Sequence, residues 1–167
     1  MNRQGWIKPP LVSDAETMGN IFKEDFQDFI EALNTNEVRY ILVGGFSVIL
    51  HGYSRTTGDM DIWVDRTLEN YKKIKLAFLH FGMPVFDMTE EKFLFDNNSD
   101  VFTFGRPPSA IDIMVEVLGL EFDSCFKQAI YFNDDGLNIR TIHLNDLIVA
   151  KKKSARSKDL DDLENLT

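Results

Sequence analysis

A single cysteine, Cys125, leaves no internal disulfide to staple the fold, and it reads as an inert, part-buried thiol. The three histidines, His51, His80 and His143, are too scattered to give a recognisable zinc-ligand spacing. His51 is expected to cap or pack at a helix end, and the other two to be structural. No apolar run reaches the roughly 20 residues that a membrane helix needs. The opening MNRQGWIKPP has no apolar stretch ahead of a small-residue cleavage site, so a cytoplasmic chain is expected. Positive charge is in deficit: 18 Lys+Arg face 27 Asp+Glu, a formal net of -9. That balance argues against broad phosphate contacts along duplex DNA, but leaves room for a nucleotide or a local RNA contact. Internal repeats and low-complexity stretches are missing too. So are G-x-G-x-x-G and G-x-x-x-x-G-K-[ST], which places dinucleotide binding and a P-loop ATPase low.

What remains is an ordinary globular composition, 44% hydrophobic and 27% charged over 167 residues. That length suits one domain, able to bury roughly two-thirds of its extended surface. Residues 1–19 read as an N-terminal arm, with Pro9 and Pro10 blocking regular structure and Ser13 and Glu16 suited to a capping box. Trp6 could pin this arm to the domain or to another subunit. Residues 20–167 read as a single domain.

From Asn20 to Asn34, Phe22, Phe26, Phe29, Ile30 and Leu33 recur at helical spacing and form a core-facing stripe. Arg39–Val43 is a short apolar strand candidate that runs into Gly44-Gly45, with a short helix expected over Phe46–His51. The stretch DMDIWVD alternates strictly. Met60, Ile62 and Val64 face one way, and Asp59, Asp61, Trp63 and Asp65 the other. Trp63 is expected to pack against a neighbouring element, and Asp65 to be a strand-end residue.

Thr67 is placed to cap a helix ending at Phe81, stopped by Gly82 and Pro84, with Tyr71, Ile74, Phe78 and Phe81 inward. Met83–Met88 is a weak strand candidate, Glu90–Phe95 a short helix or strand, and Asp96–Ser99 a turn. Further strands are expected at Val101–Phe104 and Ala110–Val117, with the turn GRPPS between them. A helix over Phe122–Ala129 is followed by a turn at NDDG and the strand LNIRTI. Helices are expected at Leu144–Lys153 and Lys158–Leu166 to close the chain, the latter capped by Ser157. This order predicts a small α/β or α+β domain, a mixed sheet flanked by helices.

The chemistry concentrates in a few residues. Asp59 and Asp61, two apart in a strand, hold their carboxylates on one face, where they repel unless protons or a cation neutralise them. Mg²⁺, or Mn²⁺, with hard oxygen ligands is the economical solution. Asp112, in the apolar strand AIDIMVEV, is placed as a third acid; Asp100, Glu116 and Asp123 are its competitors. Gly44-Gly45 lets backbone approach a phosphate, Ser47 lies in the first helical turn after it, and Arg55 precedes the acid pair. Lys151, Lys152, Lys153, Arg156 and Lys158 form a basic strip that, alone, reads as a solvated helix face. Taken together, these parts fit metal-assisted phosphoryl or nucleotidyl transfer.

The stretch VGGFSVILHGYSRTTGDMDIWVD resembles the signature of the nucleotidyltransferase superfamily related to DNA polymerase beta. More narrowly, with LIVAKKKSARSKDLDDLENL, it resembles the nucleotidyltransferase-like proteins grouped with AbiEii-type abortive-infection toxins of bacterial toxin–antitoxin systems. The resemblance spans roughly residues 38–166 and implies a minimal nucleotidyltransferase fold. It implies that Gly44, Gly45 and Ser47 bind nucleotide phosphates, and that Asp59, Asp61 and Asp112 are catalytic and hold metal. It further implies that Lys151 and Arg156 reach the nucleotide or acceptor phosphate, oriented by an ion-paired end of Lys158, Asp159 and Asp162.

Three functions follow as expectations. The first is transfer of a nucleoside monophosphate from a nucleoside triphosphate to a protein side chain, an RNA end or a small molecule, in company with a cognate toxin or antitoxin. The second is a catalytically silent binding or antitoxin module. The third is a metal-dependent phosphohydrolase of unrelated fold.

Overall fold

Phenylalanines three to four residues apart open the chain described by the computed structural model, which covers residues 24–106, 110–134 and 136–167. The first helix, α1 (Glu24–Thr35), buries Phe26, Phe29, Ile30 and Leu33. Next comes β1 (Tyr40–Val43), buried along its whole length because apolar layers cover both its faces. Helix α2 (Gly44–Leu50) starts directly at the glycine pair, two residues earlier than the sequence suggests. Strand β2 (Met60–Val64) leads to α3 (Leu68–Phe81). As expected, the Thr67 side chain accepts from the Asn70 N–H, and Gly82 ends the helix at φ 88°.

Helix α4 (Glu90–Phe95) resolves the helix-or-strand ambiguity, and β3 (Val101–Phe104) and β4 (Ile111–Met114) follow. Helix α5 (Phe122–Gln128) precedes β5 (Ile130–Asp134) and β6 (Leu137–Thr141), and α6 (Leu144–Ser154) and α7 (Ser157–Leu166) end the chain.

The six strands form one mixed sheet in the order β3-β4-β2-β1-β6-β5. β1 runs antiparallel to β2 and parallel to β6, and β2 runs parallel to β4. Strict alternation divides β2 between two layers. Met60, Ile62 and Val64 join the larger core with α1, α3 and α4, where Phe29 sets its ring edge-on to Phe78 and Phe81. Trp63 joins a smaller cluster with Ile41, Val43, Val48, Cys125, Ile142 and Leu147. Asp61 lies on that second face, where the apolar layer stops short and a cleft opens.

Four local expectations are corrected. Met83–Met88 is no strand: Phe86 sits at φ 47° and the Met88 N–H closes a turn on Val85 O. The sheet edge beside β4 is already taken by β3. The expected strand Ala110–Val117 is cut to four residues, the length over which β3 and β2 supply partners. Strand β5 is an addition to the expected elements: it forms the first arm of the hairpin with β6, and its Ile130 and Phe132 turn inward, half-buried. Ser157 is the first residue of α7 rather than its cap; Asp159 closes the helix start by accepting from the Arg156 N–H at 3.1 Å. The N-terminal arm, Trp6, residues 107–109 of GRPPS and Asp135 of NDDG lie outside the described residues.

Candidate functional site

The register of the sheet sets four residues in a row across it. Val43 of β1 stands opposite Asp61 of β2, Asp61 opposite Asp112 of β4, and Asp112 opposite Thr103 of β3. The two aspartates therefore meet without any loop having to bring them together. They line a cleft of about 910 Å³ with Gly44, Gly45, Asp59 and, from the other wall, Lys151, Arg156 and Lys158. Burial, then the charge of Asp112, a hydrogen bond shared with Asp112 and the charge of Asp59 push the Asp61 carboxyl up to about 7; Lys158 offsets this in part. Two carboxyl groups in such contact need a shared proton or a cation between them.

That need is the test of fit for a divalent metal. Asp61 and Asp112 offer hard oxygen donors that lack an ion-pair partner among the described residues, and Asp59 faces the same cleft one residue before β2. As the side chains stand, no three acidic, histidine or cysteine groups among the described residues converge tightly enough to enclose an ion. The donor chemistry fits a cation at the Asp61–Asp112 pair, with Asp59 at the lip. Of the competitors, Asp100 and Glu116 line the outer cleft, exposed. Asp123 lies outside it, paired with Arg39 at 2.6 Å.

The glycine pair serves the protein's own packing. A β-carbon on Gly44, which has φ 69°, would lie 2.0 Å from Asp61 Oδ2; one on Gly45 would lie 2.6 Å from Thr57 Oγ1 and 3.0 Å from Arg55 Nη2. Gly44 thus makes room for the acid, and Gly45 for the loop that precedes it. Ser47, expected among the phosphate ligands, is fully buried, its hydroxyl donating to Gly44 O at 2.6 Å.

The basic residues divide in an unexpected way. Arg55 Nε lies 2.8 Å from Asp162 Oδ1, and Lys151 Nζ lies 3.0 Å from both Asp159 Oδ1 and Asp162 Oδ2. Arg156 Nε donates to Asp159 Oδ2 at 2.9 Å while its side chain stays 62% exposed. Asp159 and Asp162 are wholly buried in this network, and Lys151 is nearly so. Tyr53 O–H donates to Asp161 at 2.7 Å, adding a second tie between the loop and α7. The expected ion-paired end therefore forms, but it binds Arg55 and Lys151 instead of leaving them for a ligand. Lys158, read from the sequence as part of that end, faces the cleft exposed and in no ion pair among the described residues.

The remaining residues are placed as expected, except that Cys125 is fully rather than partly buried. Trp63 packs edge-on to Phe122 at 5.2 Å, and Asp65 pairs with Arg39 at 2.8 Å. His51 Nε2 contacts Ile142 O at 2.7 Å, and burial pulls its pKa down. His143 caps α6 by accepting from the Asn145 N–H. Burial, with Asp146 beside it, pushes the Cys125 thiol up to about 12, so it stays protonated. Sequence reasoning missed Thr57 and Thr103. The alternation of VFTF, with threonine its one polar residue, was the available signal for the second.

The chain is thus a mixed α/β sheet flanked by helices, with two aspartates in register near its centre and a basic helix end across the cleft. Residues 22–167 match the family described as nucleotidyltransferase of unknown function (DUF6036), and the chain belongs to that family. No curated protein matches the chain. No helix among the described residues is long and apolar enough to cross a membrane.

Proposed function

We propose that the protein transfers a nucleoside monophosphate from a nucleoside triphosphate to an acceptor hydroxyl, with Mg²⁺ or Mn²⁺ held by Asp61, Asp112 and Asp59. The observation that carries this reading is the register-aligned Asp61–Asp112 pair, a half-buried like-charge contact without a compensating cation among the described residues. Such a contact costs stability, and a metal-binding role gives it a function. When bound, the metal neutralises charge developing on the α-phosphate.

The chain's own groups supply the rest. Arg156 and Lys158 meet the phosphates from the wall opposite the acids, and the Gly44-Gly45 turn forms the floor between them. Asp112 takes the acceptor's proton as the acceptor oxygen bonds to the α-phosphorus; the bond from that phosphorus to the bridging oxygen breaks, and pyrophosphate leaves. Arg55 and Lys151 act at one remove, fixing α7 against the loop before Asp59. The acceptor is an RNA end, a protein side chain or a small molecule. By likeness to the AbiEii-type proteins, a cognate toxin or antitoxin in the cytoplasm is the expected partner.

A silent binding module is the second reading. It is favoured by the ion network that takes up Arg55 and Lys151, and by the distance that keeps Asp59 from closing a three-acid cluster. Calorimetry with each of the four nucleoside triphosphates, with and without Mg²⁺, separates the two when paired with a pyrophosphate-release assay. Metal-dependent binding lost in Asp59→Ala/Asp61→Ala, with pyrophosphate released, is the expected result. Binding without release supports the silent module. No binding by the folded protein overturns the catalytic reading.

A further inference from the structure

Strand β3 alternates cleanly: Phe102 and Phe104 are buried in the larger core, while Val101 and Thr103 are exposed on the cleft side. Thr103 is the one polar residue of this edge strand, and water is the obvious partner for an exposed hydroxyl. Its O–H instead donates to Asp112 Oδ1 at 2.7 Å. Asp112 is thus flanked on both sides along the row. Asp61 contacts it from β2 and Thr103 from β3. The first contact is repulsive when both acids are charged and would turn the Asp112 carboxylate away from its neighbour. The second fixes one of the Asp112 oxygens and opposes that turn.

We propose that Thr103 is a positioning residue for the metal site, its hydroxyl holding the Asp112 carboxylate in the orientation that lets it share a divalent cation with Asp61. The assignment rests on the metal-dependent reading above and extends it to a residue outside the acid motif. Because Thr103 is exposed, the hydrogen bond adds little to global stability; its effect is on where the acid points. Groups that orient metal-ligating side chains typically govern metal affinity by roughly 10- to 100-fold. Valine has nearly the same shape as threonine and suits a strand at least as well, so Thr103→Val removes the donor without disturbing β3.

The test is Mn²⁺ binding to the full chain, followed by electron paramagnetic resonance of the free ion, in the wild type, Thr103→Val, Thr103→Ser and Asp61→Asn. Thermal melts without metal run beside it. The expected pattern is on the order of 10-fold weaker binding in Thr103→Val. Wild-type affinity is expected in Thr103→Ser, a larger loss in Asp61→Asn, and metal-free melting of Thr103→Val within a few degrees of wild type. Wild-type affinity in Thr103→Val, with Asp61→Asn impaired, overturns the role of Thr103 and leaves the metal reading standing. Equal losses in Thr103→Val and Thr103→Ser also overturn it, because the hydroxyl is then not the operative group. No Mn²⁺ bound by the folded wild type overturns both the inference and the reading beneath it.

Discussion

Two pairs of aspartates lie on either side of the cleft, and they are built on opposite principles. Asp159 and Asp162 are wholly buried, yet Lys151, Arg55 and Arg156 supply a cation to every side that needs one. Asp61 and Asp112 are less buried, and no cation among the described residues pairs with them. Burial pushes Asp159 up, but the hydrogen bonds from Arg156 and Lys151 outweigh it and hold the group at about 2. Burial and then the charge of Asp112 push Asp61 up to about 7, with only Lys158 acting against them. A folding interaction satisfies its charges internally; a site leaves a charge for something else to satisfy. By this contrast the Lys151 network is scaffold, and the acid row is the part we propose to be reactive.

The sharpest way to break the comparison is to make the scaffold pair resemble the site pair. Lys151→Met keeps the length and apolar stem of the side chain but strands Asp159 and Asp162 without their shared ammonium. The expected loss is about 3–5 kcal/mol, as for other buried pairs stripped of one partner. Chemical denaturation reads it directly. A loss under about 1 kcal/mol, the range of surface pairs, would show that Arg55 and Arg156 suffice and that Lys151 is free to serve a ligand.

A smaller effect is expected from crowding the site pair. Gly44→Ala places a left-handed non-glycine residue at φ 69° and a methyl group where Asp61 Oδ2 now sits. Backbone strain of this kind costs about 1–3 kcal/mol. Because the methyl displaces the Asp61 carboxylate, metal affinity is expected to fall alongside stability. Gly82→Ala, at φ 88° with open space around its β-carbon, carries the same backbone strain and leaves metal binding alone. Melting curves and Mn²⁺ titrations on the two variants distinguish strain from displacement. Equal metal affinity in both would separate Gly44 from the acid site.

The difference between the two pairs also marks what the sequence could reveal. The acid row was legible because strand alternation fixes which residues share a face, so DMDIWVD and AIDIMVEV each declared their acids locally. Their meeting depends on β2 and β4 pairing in register, which no local pattern announces and only the sheet supplies. The scaffold network was legible only as a charge pattern. That Lys151 turns inward to Asp159 and Asp162 follows from how α6 folds back on α7 about Ala155 at φ 49°, a non-glycine residue in a conformation that alanine rarely adopts. Nothing in KKKSAR announces that turn. Ser47 misled for a similar reason, since a hydroxyl in the first helical turn can point to a ligand or back to its own helix, and local sequence is the same in both cases. Strand β5 was hidden by length, because five residues at a sheet edge, only two of them apolar and half-buried, give a weak alternation.

The smallest effect has the opposite sign and tests the contrast most directly. Asp61→Asn removes the like-charge contact and is expected to raise the stability of the metal-free protein by roughly 1 kcal/mol, the usual gain when a functional site is relieved of its strain. The pH dependence fixes the cause. The Asp61 carboxyl is raised from 3.8 to about 7, so between these values the folded protein holds a proton that the unfolded chain has released. Metal-free stability therefore falls as pH rises across that window and levels off above it. Asp159 works the other way. Its folded value of about 2 lies below 3.8, so its contribution is full above about pH 4 and is lost as pH falls toward 2. Denaturation between pH 2 and 8 is expected to show both limbs in the wild type, and only the acid limb in Asp61→Asn. Mg²⁺ is expected to flatten the upper limb of the wild type and to leave the variant unchanged. A variant that keeps the upper limb would place the unsatisfied charge elsewhere and remove the distinction between the two aspartate pairs.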